Sequence, residues 1–447
     1  MLEQRRFSRD VLGILGTRGV WSAMGIVSGV ILARQLGPHD RGILALVLLL
    51  PSTVLTLVKL GISQSNVYFV NREKVGPDRV ASNSAALALS LGTLAAVLVW
   101  LGRGPLHASV LRGVPDWALA LGLVRVPLLL LDDYLYGVLQ ATGLFRIYNV
   151  RLLFGETLRL VLVVLFLVVF DGGLVAAVSI YTFVTVVNVA WLVSQIRKRV
   201  PFGLRFERAL LSEQLRFGLK SYVQTLTQHL LLRIDIYMVA YFLSPSETAF
   251  YALALRFTEM VLEIPQAVGL VLYPRLAASS PSEIHRLTAQ ACRRTLLVSG
   301  VAALALALVG PPVITLWYGR PYAPAGAPLP WAAVGVLAIS IFVIVTRAFT
   351  SQGRQEVNIA AGVLALAGNV VLNAFLIPAY GIVGAAFATA VSYTAACVLL
   401  LAFYRRESQF GFREVFLANR EDLRFFWRLV SGVLQRAALL PGSRSAR

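Results

Sequence analysis

Apolar stretches of about twenty residues recur along this chain with only short polar interruptions, and that recurrence limits what it can fold into. In hydrocarbon a backbone amide has no water to bond, so such stretches satisfy their own amides as helices. About twenty residues at 1.5 Å each cross the apolar layer. The pattern predicts spans at 11–33, 42–69, 81–101, 117–141, 150–170, 174–195, 217–243, 248–273, 291–318, 329–351, 357–377 and 381–403. Composition agrees: 57% of the residues are hydrophobic and 14% charged, against about 25% charged in a soluble domain. The fold class expected is an all-α integral membrane protein with twelve transmembrane helices.

The net charge of +19 does not point to nucleic acid. The cations lie in short loops and a tail, where membrane topology and anionic lipid account for them. Arg72, Lys74, Arg79, Arg146, Arg197, Lys198, Arg199, Arg205, Arg208, Arg275, Arg286 and Arg354 fall on the side of Arg5, Arg6 and Arg9. Arg34, Arg41, Arg103, Arg112 and Arg320 are left for the other side. Both termini are therefore expected in the cytoplasm. The N-terminal arginines before an apolar run resemble a secretory signal, but the run is long enough to span and no small-residue cleavage site follows. It reads as a retained first helix.

The chain repeats weakly. With a shift of 207, Ala33, Leu36, Pro38, Ala45, Leu46 and Leu48 fall on Ala240, Leu243, Pro245, Ala252, Leu253 and Leu255. With a shift of 209, Asn149, Gly172, Ala176 and Ala177 fall on Asn358, Gly381, Ala385 and Ala386. This layout predicts two parallel six-helix lobes, 1–195 and 217–403, joined by a basic cytoplasmic linker at 196–216. A basic cytoplasmic tail, 404–447, follows. Within it, residues 420–436 place Leu423, Phe426, Trp427, Val430 and Leu434 on one helical face and Arg420, Arg424 and Arg428 opposite. That pattern suits an interfacial helix on anionic lipid, or a helix that binds a partner. Pro51, Pro127 and Pro265 are expected to kink their spans.

Charges inside spans carry the functional question, because ionisable residues at that depth usually face a bundle interior or a watery cavity. Arg18 shares a face with Ser22, Gly25 and Gly29, which leaves room for a cavity; snorkelling to the interface is the alternative. Ser52, Thr56, Lys59, Ser63 and Asn66 occupy one arc of the second span. Arg125, Asp132 and Tyr136 share a face of the fourth, with Asp133 and Gln140 at its edge. Glu156 and Arg159, three apart, either neutralise each other or serve function. On the seventh span Gln224, Gln228 and Asp235 form one stripe, and His229 and Arg233 the adjacent one. Arg256, Glu259 and Glu263 line the eighth as a salt-bridge ladder or as a coupling site for a proton or cation. Arg347 is placed to snorkel.

No phosphate-binding loop ending in Gly-Lys-Ser/Thr occurs, and no nucleophile elbow. The four histidines are scattered without metal spacing, and Cys292 and Cys397 make no cluster. No catalytic residue, metal or cofactor is expected, and transport is favoured over enzymology.

The run ARQLGPHDRGILAL after an arginine-bearing helix, LVKLGISQSNVYFV, and RFGLKSYVQTL…LLLRIDIYMVAYFLSPSETAFYALALRFTE resemble the bacterial polysaccharide and O-antigen flippases. These belong to the multidrug/oligosaccharidyl-lipid/polysaccharide exporter superfamily. The resemblance covers about residues 8–404. It implies two six-helix lobes around a central cationic cavity in the bacterial inner membrane. It also implies movement of a polyprenyl-diphosphate-linked oligosaccharide to the outer leaflet, alongside membrane lipids and the polysaccharide polymerase and glycosyltransferases of the same route. On that implication Arg18, Lys59, Asn66, Arg125, Gln228 and Arg233 are candidate substrate-binding residues, Arg18 and Arg233 foremost, with Arg256 a further cation. The superfamily's drug exporters bind cations, and Asp132, Asp133, Asp235, Glu259 and Glu263 keep a cation-coupled exporter as the alternative. Asp132, Asp235, Glu259 and Glu263 are the candidate ion-coupling carboxylates.

Overall fold

The computed structural model describes residues 2–408 and, in the tail, 414, 416, 419–424, 427 and 431. For 2–19, 145, 220, 221, 224, 281, 407 and 408 it describes the backbone alone. In chain order the helices are α1 (Leu2–Val58), α2 (Ile62–Asn71), α3 (Pro77–Leu101), α4 (Arg103–Ala108), α5 (Asp116–Ala141) and α6 (Phe145–Val163). Then come α7 (Gly173–Arg197), α8 (Arg208–Phe242), α9 (Pro245–Ala277), α10 (Pro281–Tyr318), α11 (Leu329–Ser351) and α12 (Gln355–Ser408). A π-helical stretch, Val164–Val169, continues α6, and a 3₁₀ turn, Arg320–Gly326, precedes α11. Among the described residues no strand occurs. Seven helices are long and apolar enough to cross a membrane there. The other long helices are α5, α8 and α9.

Helices α1 and α12 are each two helical legs joined at a glycine. Gly37 (φ 69°) breaks α1 just before Pro38, and Gly381 (φ 60°) breaks α12. The expected spans 11–33 and 42–69, and 357–377 and 381–403, thus turn back at glycines, which reach positive φ without steric cost. Helix continues through Pro51, Pro127 and Pro265. The departures from helix lie at these glycines and at one further place.

That place is inside the expected span 42–69. The helix stops at Val58, and α2 starts at Ile62. Leu60 (φ 48°) and Gly61 (φ 72°) turn the backbone between them. A Cβ on Gly61 would run into the backbone of Gly218 on α8, and one on Gly218 into Leu60 and Gly61. Two chains meet there at glycine distance. The carbonyls freed by the break find donors: Tyr222 Oη donates to Leu57 O (2.5 Å) and Tyr134 Oη to Val58 O (3.5 Å). Unpaired, such groups are costly away from water.

Two compact units divide the chain. The first holds residues 1–252 and 315–322, so α8 packs with α1–α7. One part of its core centres on Leu44, Leu111, Leu119, Val126 and Val163, the other on Ile62, Leu130, Tyr134, Leu135 and Ile196. Residues 315–322 join this unit through polar contacts at the Arg34 turn. Arg34 Nε and Nη2 donate to the carbonyls of Trp317 (2.7 Å) and Leu316 (2.8 Å), and Tyr322 Oη donates to Ala33 O (3.0 Å). An arginine is a suitable donor for the orphan carbonyls of a helix end.

The second unit holds 253–314 and 323–447. Its core includes Ile344, Phe349, Ala361, Cys292 and Leu400. The described tail residues are held by a buried carboxylate. Asn419 and Asp422 exchange hydrogen bonds, backbone to side chain, as in a capping box. Asp422 then takes Arg293 Nε (2.6 Å) and Arg294 Nε (3.1 Å) from α10. Leu423 and Trp427 are exposed, as are Arg420 and Arg424. Phe426, Arg428, Val430 and Leu434 lie outside the described residues.

Gly61→Ala should destabilise the first unit by about 2–4 kcal/mol, from positive φ plus overpacking; an unchanged thermal midpoint in detergent would remove the glycine contact from the explanation. Burial alone would push the Asp422 carboxyl up. Hydrogen bonds from Arg293, the Asn419 amide and Arg294 outweigh it and hold the carboxyl below its ordinary value. A depressed folded-state value means the clasp is fully present above about pH 4 and is lost only as pH falls through the lower folded value. Protease sensitivity of the tail should therefore be flat from neutral pH to about 4 and rise at lower pH, whereas Asp422→Asn should expose the tail already at pH 7.

Candidate functional site

The polar face that the sequence places on α1 meets a polar face of α8 within the first unit. His229, Arg233 and Tyr237 are four residues apart and lie on one side of α8. Opposite them, Thr53 and Thr56 are three apart, with Lys59 at the helix break. His229 Nε2 lies 3.5 Å from Thr53 Oγ1 and its Nδ1 3.4 Å from Thr56 Oγ1. Tyr237 Oη donates to Thr53 Oγ1 at 2.8 Å, and Thr56 Oγ1 donates back to Ser52 O at 2.9 Å. The imidazole thus bridges two hydroxyls of the facing helix.

Charge gathers at the same place. His229 lies in the fields of both Arg233 and Lys59, and Tyr237 in that of Arg233. Asp133 on α5 lies in the field of Lys59. The arrangement is a His–Thr–Tyr network flanked by two cations, beside the positive end of α2, whose first turn starts at the break. Cations with a helix N-terminus can hold a phosphate-like anion.

The remaining sequence-derived residues lie as follows. Arg18 is in α1, with its side chain outside the described residues. Asn66 is fully buried, with all its hydrogen-bonding positions in use. Its Nδ2 donates to Ser84 Oγ (2.9 Å) and Tyr134 O (2.9 Å), and its Oδ1 accepts from Gln214 Nε2 (2.7 Å) and Ser84 Oγ (3.2 Å). Gln214 in turn accepts from Asn83 Nδ2 (2.8 Å). Asn66 thereby knots α2, α3, α5 and α8 together. Gln228 is exposed on α8. Arg125 points toward α7, where its Nε donates to Thr185 Oγ1 (3.2 Å).

The carboxylates named for ion coupling mostly have partners. Asp132 pairs with Arg151 of α6. Asp235 is buried and accepts from Tyr251 Oη (2.7 Å) and from the Ile236 amide (2.9 Å). Glu259 lies 3.5 Å from Arg256, a half-exposed pair one turn apart, and Glu263 is exposed. The sequence reading passed over Thr53 and Tyr237. Tyr237 continues the spacing of His229 and Arg233, and that was the available signal.

Residues 9–280 match the sequence model of a family described as "Polysaccharide biosynthesis protein". A Haloferax volcanii protein named "Probable low-salt glycan biosynthesis flippase Agl15" is 25% identical over 236 residues, 51% of this chain and 49% of that protein. "Probable flippase AglR" of the same organism is 26% identical over 178 residues, 37% and 36% of the two chains. The chain thus spans about half or less of the length of these curated relatives. A lipid II flippase, MurJ, in an inward closed conformation shares the fold at TM-score 0.77 and 12% identity, over 95% of this chain and 96% of that one. An inward-facing multidrug resistance MATE transporter of the MOP superfamily does so at TM-score 0.68 and 15% identity, over 87% and 94%.

Asn66→Ala leaves Gln214 and the Tyr134 carbonyl short of a partner in a dry place. It should cost about 1–3 kcal/mol, read as a lowered unfolding midpoint; a midpoint like that of the parent protein would mean the network is dispensable.

Proposed function

Because this chain belongs to the polysaccharide biosynthesis protein family, we propose that it is a flippase for a lipid-linked oligosaccharide carried on polyprenyl diphosphate. The observation that carries this is the pair of cations, Lys59 and Arg233, flanking His229 at the break between α1 and α2. A diphosphate is a small, dense anion. Arginine offers it a planar fork of donors and lysine a mobile point charge. The hydroxyls of Thr53, Thr56 and Tyr237 and the first turn of α2 supply neutral donors beside them. Arg18, on the first leg of α1, is proposed as a further contact.

In this reading both termini are cytoplasmic, the membrane is the bacterial inner membrane, and the head group crosses by alternating access. The polysaccharide polymerase and glycosyltransferases of the same route are its partners. The tail helix, with Trp427 and Leu423 exposed beside Arg420 and Arg424, rests on anionic lipid. A potential negative inside favours outward movement of two negative charges by at most about 4.6 kcal/mol at about 100 mV, and neutralising arginines reduce that gain. A cation-coupled drug exporter has less support. It calls for a carboxylate free to bind a cation; Asp132, Asp235 and Glu259 are engaged with Arg151, Tyr251 and Arg256, which leaves Asp133 and the exposed Glu263 to carry that reading.

Arg233→Gln and Lys59→Gln should each lower outward transfer of a diphosphate-linked oligosaccharide in proteoliposomes by about tenfold or more, the worth of one charged hydrogen bond. Transfer at parental rates by both folded variants would refute the assignment.

A further inference from the structure

Arg125 and Arg159 stand apart from the site between α1 and α8. Both face the Tyr181 ring on α7, with guanidinium carbons 5.9 and 5.1 Å from its centroid. Counting residues from the helix ends that lie together, Arg125 is nine past Asp116, Arg159 ten before Val169 and Tyr181 eight past Gly173. At 1.5 Å per residue all three lie about 12–15 Å deep, near the middle of the apolar layer.

The charges there do not balance. Buried Glu156 pairs with Arg159. Arg125 has Thr185 Oγ1 and the Tyr181 ring, both uncharged. Of the other carboxylates on these helices, Asp132 pairs with Arg151, and Asp133, eight residues past Arg125, lies about 12 Å farther along α5. Among the described residues two guanidinium groups therefore share one carboxylate, and an excess positive charge sits at mid-span. Donors are left over as well, since Arg125 Nη1 and Arg159 Nε are buried with no protein acceptor. A neutral molecule would fill those donors but leave the charge, which is costly at this depth.

We propose that the first unit binds a monovalent anion, of the chloride and bromide class, between Arg125 and Arg159 beside Tyr181. The size of the anion follows from what else lies near. Glu156 Oε1 and Asn188 Oδ1 are also buried without donors, and Asn188 packs against Gly155, next to Glu156. A polyatomic anion would turn oxygens toward these acceptors. A single-atom anion stays on the guanidinium side. Glu156 has two roles: it fixes Arg159 in place, and it sets the excess at one charge. The anion makes the packing of α5, α6 and α7 depend on halide, so it acts as a structural ligand of the lobe and requires no contact with a transported molecule.

The test uses the full chain, purified in detergent with gluconate as the only small anion. Sodium bromide replaces sodium gluconate at constant ionic strength while the thermal unfolding midpoint is followed. A ligand bound by the folded state alone raises that midpoint saturably. The unaltered protein should show a saturable rise. Arg125→Gln removes the excess charge, so it should fold and show a midpoint independent of bromide. Arg159→Gln, a second and independent variant, also leaves one guanidinium to one carboxylate and should likewise show a midpoint independent of bromide. Lys59→Gln should titrate like the parent, which separates this site from the one proposed for the diphosphate. A midpoint insensitive to bromide in the parent overturns the proposal. So does a bromide response retained by both arginine variants, or one abolished by Lys59→Gln.

Discussion

A charge placed inside an apolar helix needs a partner within reach, and where its own helix offers none, a neighbouring helix supplies it; much of the first unit follows from that constraint. Asp132 of α5 is answered by Arg151 of α6, and Asp133 of α5 feels Lys59 at the end of α1. Residues seven apart on one helix, such as Arg125 and Asp132, lie about 10 Å from each other along the axis, too far to serve each other. Each therefore turns to a neighbour, Arg125 to α7 and Asp132 to α6. The pairings hold α5, α6 and α7 in register, while the apolar residues around them supply bulk without direction.

The second constraint is that a helix cannot stop inside an apolar layer without placing its free carbonyls. The stop at Val58 is possible because Tyr222 and Tyr134, from α8 and α5, reach Leu57 O and Val58 O. Asn66 then anchors the start of the next helix to α3, α5 and α8. The break leaves Lys59 at the end of α1, where its field and that of Arg233 both reach His229, and α2 starts three residues on. The proposed anion contact is thus a product of the same packing that pays for the break.

Much of the layout was legible in the sequence, because it depends on local composition. The apolar segments appear as helices near their expected bounds, and the Gly37–Pro38 turn stands where ARQLGPHDRG placed it. The polar arcs on the second and seventh spans were read as interior-facing, and Thr56 and His229 do meet there. Less was legible about roles. The helices that Asn66 ties together could not be read from its place on the second span. The reason is that its partners Ser84, Tyr134 and Gln214 come from three other helices.

By itself the sequence determined that this is a multi-pass helical membrane protein, because hydropathy and helix length are properties of short windows and need no knowledge of distant residues. It also showed which helices carry charge. Only the tertiary structure decided what each charge does. Whether Asp132 is a free acid or half of an ion pair depends on α6. Whether 42–69 is one helix or two depends on Gly218 and two tyrosines far along the chain. Those outcomes turn on approach distances of a few ångströms between segments, and a linear sequence holds no record of them.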